Sequence, residues 1–280
     1  MKKRTALAFL GAAVLTSVAA CSGSPAATAP PENCTPTFQV PKTVQPGVLT
    51  VAGPDYPPLF TYEGATLGGV DGAFLTYFAE KACLGLDIQV LPASGVIESV
   101  RGGRADVAAG GWYITAERAG VVGQTDPMYS DPPVLVAKSP SSDIQDYRSA
   151  TIGTTQGYTF VEDLQRFAGD NAKLYQSPDA VFTDVSNGRI EVGLMAVAEA
   201  SYRIDANPGS GLSYQVMSPD PAIDASVNPP VTNFPFAKDN PELGAALDTA
   251  IAGFRAEGKL AEALTAAGID PAAANPTPAG

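Results

Sequence analysis

Histidine is absent from all 280 residues. That one absence removes Ser-His-Asp and Cys-His nucleophile systems, HExxH zinc sites and the commonest general base. The sequence also lacks Ser-x-x-Lys and Gly-x-Ser-x-Gly motifs. No glycine-rich run has the spacing of a phosphate loop or a dinucleotide fingerprint. Acidic residues are plentiful, so composition leaves paired-carboxylate chemistry open, but no pair in the sequence recommends itself for it. No metal site, cofactor or catalytic residue is expected. Positive charge is scarce as well: 17 Lys plus Arg stand against 29 Asp plus Glu, a net of −12. A chain this acidic repels nucleic acid and anionic lipid head groups.

Long apolar runs are confined to the N terminus. Lys2, Lys3 and Arg4 precede an apolar stretch from Ala6 to Ala20 that is too short to span a bilayer and reads as a secretory signal, residues 1–20. Val18-Ala19-Ala20-Cys21 places small residues before a cysteine, the pattern of a bacterial lipobox, which predicts acylation of Cys21; an unlipidated signal is the alternative. Without residues 1–20 there are 14 Lys plus Arg against 29 Asp plus Glu, a net of −15, so membrane attachment should come through lipid and not a basic patch. The chain is thus expected to be exported and anchored to the outer face of the bacterial cell membrane, or periplasmic. Residues 21–46 have a Ser/Gly/Pro/Ala tether composition. Two cysteines remain in an oxidising space. Cys34 and Cys83 either pair, pinning the tether to the first helix, or stay as free thiols.

After residue 47 strand and helix signals alternate, which argues for α/β layers. Strands are predicted over 48–51, 86–91, 107–109, 134–138, 150–153, 190–194 and 233–237. Helices are predicted from Asp71, stopped by Gly85; from Ser94 as cap; over 157–167; from the Ser177-Pro178-Asp179 cap; and from Asn240-Pro241. Residues 207–232 read as irregular, and the chain beyond Gly268 as loose. One internal echo stands out. Val100, Gly103, Arg104, Asp106 and Val107 recur as Val185, Gly188, Arg189, Glu191 and Val192, each 85 positions later. This repeated helix-turn-strand unit implies two lobes, with crossings near Ala137 and Phe236 acting as a hinge.

Gly110-Gly111-Trp112-Tyr113-Ile114-Thr115-Ala116-Glu117-Arg118 carries the main chemical signal. Thr115 is placed to cap a helix, and Arg118, three residues on, to present a planar fork matched to a carboxylate. The plain alternative is a capped helix with a solvated arginine. In order and spacing, this segment joins 47–51, Tyr56-Pro57-Pro58-Leu59-Phe60, Gly69-Val70-Asp71-Gly72, Gly103-Arg104-Ala105-Asp106, Thr125-Asp126-Pro127-Met128-Tyr129 and 152–159. Together they resemble the family 3 extracellular solute-binding proteins, receptors that deliver polar amino acids to ABC importers, over residues 47–265.

The resemblance implies a type II periplasmic-binding-protein fold with a two-strand hinge. Residues 47–136 and 234–270 would form lobe 1, 137–233 lobe 2 and 271–280 a tail. It implies a monomer that is not an enzyme, whose partners are a small carboxylate-bearing ligand and an ABC permease. Ligand-binding positions carried over are Tyr56, Gly111, Thr115, Arg118, Gly157 and Thr159. Trp112, Tyr113 and Tyr158 add aromatic walls, the last two where relatives carry small hydroxyl residues. Trp112 alternatively packs between lobe elements, and Tyr56 anchors its Pro-Pro loop. Ala196 falls where relatives place the aspartate that takes the ligand's ammonium. Asp55 or Glu199 would then supply the acid, or a cation would rest on the aromatic walls, or the ligand would lack a conventional amino group. Other implied readings are a dehydratase of cyclic acids on the same fold and a sensory or scaffold lipoprotein with a degenerate cleft.

Overall fold

The computed structural model describes residues 27–30, 33–38, 42–64 and 66–276; the signal segment and Cys21 lie outside them. Two five-stranded sheets organise the chain. In the first, Val48–Gly53 lies between Gly85–Val90 and Val107–Ala108, parallel to both. Pro235–Phe236 then pairs antiparallel with Val107 and with Gly123–Gln124. In the second, Ile152–Thr155 is parallel to Ala172–Tyr175 and Val192–Ala196. Pro133–Ala137 runs antiparallel to Val192–Ala196 and to Ser213–Val216.

The central strands of both sheets are buried on both faces, which is why they read as apolar runs and not as alternating patterns. Helices cover the faces. On the first sheet, Gly69–Ala82 and Pro241–Ala256 meet through Phe74, whose ring stacks 4.7 Å from Phe234 and lies edge-on to Phe254 at 5.7 Å. On the second, Leu164 from Val161–Ala168 packs with Leu135, Ile152, Val192 and Leu194. Among the described residues no helix is long and apolar enough to cross a membrane.

The internal echo is a structural repeat. Gly103 and Gly188 both sit in the left-handed region, at φ of 64° and 68°, and each amide donates to the valine carbonyl three residues earlier. The acids that follow match too. The Asp106 carboxylate accepts from the Thr50 amide at 2.8 Å and that of Glu191 from the Thr151 amide at 2.6 Å, while each acid's own amide donates back to the same threonine.

Several local expectations give way to packing. The helix that begins at Gly69 is stopped by Cys83, in the left-handed conformation at φ 56°, and Gly85 instead opens the next strand. Ser94 lies inside Ala93–Arg101, whose N-cap is Pro92 with no side-chain cap bond. The helix expected over 157–167 starts only at Val161, leaving Gly157, Tyr158 and Thr159 as a turn. The stretch 207–232 contains the edge strand Ser213–Val216 and the short helix Asp224–Val227.

Both crossings lie about six residues upstream of their expected places. Pro133–Ala137 is fully within the second sheet, so residues 133–136 do not belong with the first. The connections are Met128 to Pro132 and Pro230 to Thr232, and they pair with each other. Met128 donates to Thr232, Thr232 to Tyr129 and Asp131 to Pro230, at 2.7, 2.8 and 2.9 Å. They form a two-strand ribbon.

The ends are not loose where they are described. Thr28 bonds the Leu86 backbone along the exposed edge of Gly85–Val90, Phe38 stacks on Phe78, and Cys34 and Cys83 form a disulfide. At the other end Pro271–Ala274 forms a turn of 3-10 helix with Ala273 and Ala274 buried. Its small side chains let the backbone come close. The Ser130 amide of the ribbon donates to Ala273 O at 3.0 Å, and Arg255 bridges Ala274 O to the carbonyls of Pro127 and Met128.

Candidate functional site

Parallel strands aim their carboxyl ends at a common crevice, the usual location of a ligand in open α/β sheets. Here Val48–Gly53 leads to Tyr56, Val107–Ala108 to Gly110–Arg118, and Ile152–Thr155 to Gly157, Tyr158 and Thr159. Those segments enclose a cavity of about 290 Å³ between the two lobes. Eight of the nine residues expected at a site line it: Tyr56, Gly111, Trp112, Tyr113, Arg118, Gly157, Tyr158 and Thr159. Thr115 does not.

The glycine pair is held by Asp71. This carboxylate, buried in the first turn of helix Gly69–Ala82, accepts from Gly110 N at 2.8 Å, Gly111 N at 2.9 Å and the Tyr129 hydroxyl at 2.9 Å. Burial raises its carboxyl above the usual range, and those three donors hold it down in part. Gly111 has φ 69°, and a Cβ there would come 2.5 Å from Leu59 Cδ1, so any side chain would be strained and would displace Leu59. Its amide serves Asp71 and not the cavity.

Trp112–Tyr113 then pairs antiparallel with Thr232–Asn233, which carries both rings to the cavity wall. Thr115 caps the helix Ala116–Val121 as expected, its hydroxyl accepting from Arg118 N at 3.1 Å. Both of its backbone groups are occupied by the Gln124 side chain, at 3.0 and 2.9 Å. Thr115 therefore positions Arg118 without facing the cavity. The Arg118 guanidinium donates to Tyr113 O and lies 5.0 Å from the Trp112 ring. Burial pulls its pKa below the usual value, and among the described residues it has no ion-pair partner.

Among the described residues one acid lines the cavity, and another stands behind its aromatic wall. Glu199, 1 % exposed, lies in helix Val197–Ala206 and accepts from the hydroxyls of Tyr56 and Tyr158, one from each lobe. Asp55 is exposed and takes no such part. Asp131, which the sequence reading missed, lines the cavity from the ribbon and is 4 % exposed. It accepts from the Tyr113 hydroxyl at 2.8 Å and from Ala198 N at 3.2 Å. Burial lifts both carboxyls and drives the hydroxyls of Tyr56, Tyr113 and Tyr158 upward. The available signal for Asp131 is an acid directly ahead of Pro132-Pro133 and a buried strand, at the crossing itself.

Two lobes of alternating helix and strand, joined by a paired ribbon around a cavity with a cation and aromatic walls, have the fold of the periplasmic binding proteins. The chain belongs to the bacterial extracellular solute-binding proteins, family 3, whose profile matches residues 49–266. A probable amino-acid-binding protein, YxeM, of Bacillus subtilis strain 168 is 27% identical over 195 residues, 67% of this chain and 70% of that one. An ancestral cationic amino acid solute-binding protein superposes with a TM-score of 0.68 at 17% identity, covering 80% of this chain and 97% of the other. The arginine-, lysine-, histidine-binding protein ArtJ of Geobacillus stearothermophilus gives 0.62 at 21% identity, over 78% and 94%. These structural likenesses establish the fold.

Proposed function

We propose that this chain is the receptor of an ABC importer and captures a small carboxylate-bearing solute, an amino acid or a close relative, by closing its lobes around it. The observation that carries this reading is Arg118, a half-buried guanidinium without an ion-pair partner among the described residues, facing a cavity lined from both lobes. A carboxylate there gains a planar bidentate partner. Gly157 and Thr159 complete the enclosure from the second lobe. The names of the relatives agree: YxeM is called a probable amino-acid-binding protein and ArtJ binds arginine, lysine and histidine. Cys21 would carry the lipid that holds the monomer at the outer face of the membrane, next to its permease.

The test is a thermal-shift panel of the twenty common amino acids and simple carboxylates on the purified chain, with mass spectrometry of whatever co-purifies. A solute at a hundred times its dissociation constant stabilises by about 2.7 kcal/mol, a shift easily read. Stabilisation by none of them would remove the receptor reading and leave a scaffold.

A further inference from the structure

We propose that Asp131, on the ribbon between the lobes, receives the cationic group of the bound solute and takes over the position left without an acid at Ala196. The inference rests on the reading of the cleft as a carboxylate-capturing site and adds the second charge of the ligand.

The argument starts from register. Val192–Ala196 and Pro133–Ala137 are antiparallel, with Ala196 opposite Pro133. Asp131 therefore stands two residues before the partner of Ala196, on the extension of the adjoining strand. The backbone then turns toward it: Val197 N donates to Pro132 O at 3.1 Å and Ala198 N to Asp131 Oδ1 at 3.2 Å. The carboxylate thus sits at the start of the helix that follows Ala196. An acid missing from one strand is supplied by its neighbour.

Charge makes the same point. Asp131 is almost wholly buried, lines the same cavity as Arg118, and among the described residues meets no lysine or arginine within ion-pair distance. Its two donors are neutral, a phenol and an amide, and a carboxylate accepts about four hydrogen bonds, so there is room for an ammonium. A buried charge is stable when paired. Glu199 is a weaker candidate, because it does not line the cavity and stands behind the phenols of Tyr56 and Tyr158 that do. A solute with a carboxylate at one end and an ammonium at the other neutralises Arg118 and Asp131 together, and the second contact falls on the ribbon that must bend.

The test compares each common L-amino acid with the same acid carrying hydrogen in place of its amino group, by calorimetry on the full chain and on Asp131→Asn. D131N keeps an oxygen for Ala198 N and loses the charge. The wild-type protein should prefer the amino compound by roughly a hundredfold, and D131N should lose most of that preference while its affinity for the bare carboxylate stays within a few fold. A purely structural Asp131 would weaken both compounds alike. Should D131N fail to fold, Asp131→Glu, which keeps the charge on a longer arm, should narrow the preference in the same sense. Equal affinity of the wild type for both compounds overturns the inference and leaves carboxylate capture standing, as does a preference that survives at position 131. Binding of neither compound overturns the receptor reading, and this inference with it.

Discussion

The Tyr56 hydroxyl and the Glu199 carboxylate, 143 residues apart in sequence and on opposite lobes, are joined by a hydrogen bond. The second oxygen of Glu199 accepts from Tyr158 in the same way. One acid therefore ties two aromatic walls of the cavity together before any solute is bound. Glu199→Ala removes the acceptor of two half-buried phenols, at about 1 kcal/mol each, and should lower the urea midpoint accordingly. Tyr56→Phe cuts only the link between lobes. It should enlarge the radius of gyration of the ligand-free protein in X-ray scattering; an unchanged radius would show that this bond does not hold the lobes together.

Arg118→Ala separates binding from folding. Truncating the partner of a buried carboxylate costs about 2 to 5 kcal/mol of affinity. The fold loses only the bond to Tyr113 O and the contact with Trp112, about 1 to 2 kcal/mol. Calorimetry should show a large loss of affinity for the best solute of the panel, and thermal unfolding of the empty protein a small change.

Asp71→Ala should act the other way round. It leaves Gly110 N, Gly111 N and the Tyr129 hydroxyl without their acceptor. At roughly 1 to 3 kcal/mol for each orphaned donor, the loss should reach about 3 kcal/mol or more in chemical denaturation. Asp71→Asn retains one acceptor oxygen and should lose less.

The Cys34–Cys83 bridge closes a loop with a sequence separation of 49. Chain entropy sets its contribution at about 4 kcal/mol. Replacing both cysteines by alanine should lower the urea midpoint by a corresponding amount, while solute affinity is retained because neither residue lines the cavity. A midpoint equal to that of the wild type would mean that the bridge does not constrain the unfolded chain.

Stability should rise on mild acidification. Burial lifts the carboxyls of Asp71 and Asp131 above 3.8 and that of Glu199 above 4.5, so the folded protein holds protons that the unfolded chain has released. The slope of unfolding free energy with pH is then negative: this contribution is complete below the unfolded values and is lost as pH rises through the raised ones. Asp184, Asp220 and Glu257 oppose it at lower pH. Bonds to Arg189, Gln145 and Lys259 hold them below their ordinary values, and their contribution fades as pH falls through that range. Urea midpoints should pass through a maximum in the mildly acidic range. A steady fall from neutral pH would contradict the assignment of the buried acids.

What could be read in the sequence was local. Ser177 and Asn240 cap their helices as expected because a cap depends on three consecutive peptide units. The echo of Asp106 in Glu191 was legible because each acid serves a turn of its own lobe. Eight lining residues are recovered because the resemblance to family 3 receptors carries them over, in short segments that follow strand ends. Placement among partners was not legible. Val134, Leu135 and Val136 look the same whichever sheet they enter, so the sequence places the crossing too late. Ser213–Val216 is an edge strand with exposed and polar positions and gives no apolar signal. Asp131 and Glu199 acquire their roles only when register brings them beside phenols from distant segments.

The contact between Ser130 and Ala273 has a mechanical consequence. One of the two strips that join the halves is splinted on its outer side by residues 271–274 and by Arg255, so rotation cannot be spread evenly along it. Beyond that splint, Pro132 and its opposite numbers Pro229 and Pro230 narrow the choice of backbone angles, so little of the joint is left free to twist. Deleting residues 271–276 would strip acceptors from Ser130 and Arg255, lengthen the compliant part of the joint, and turn a stiff pivot into a slack one.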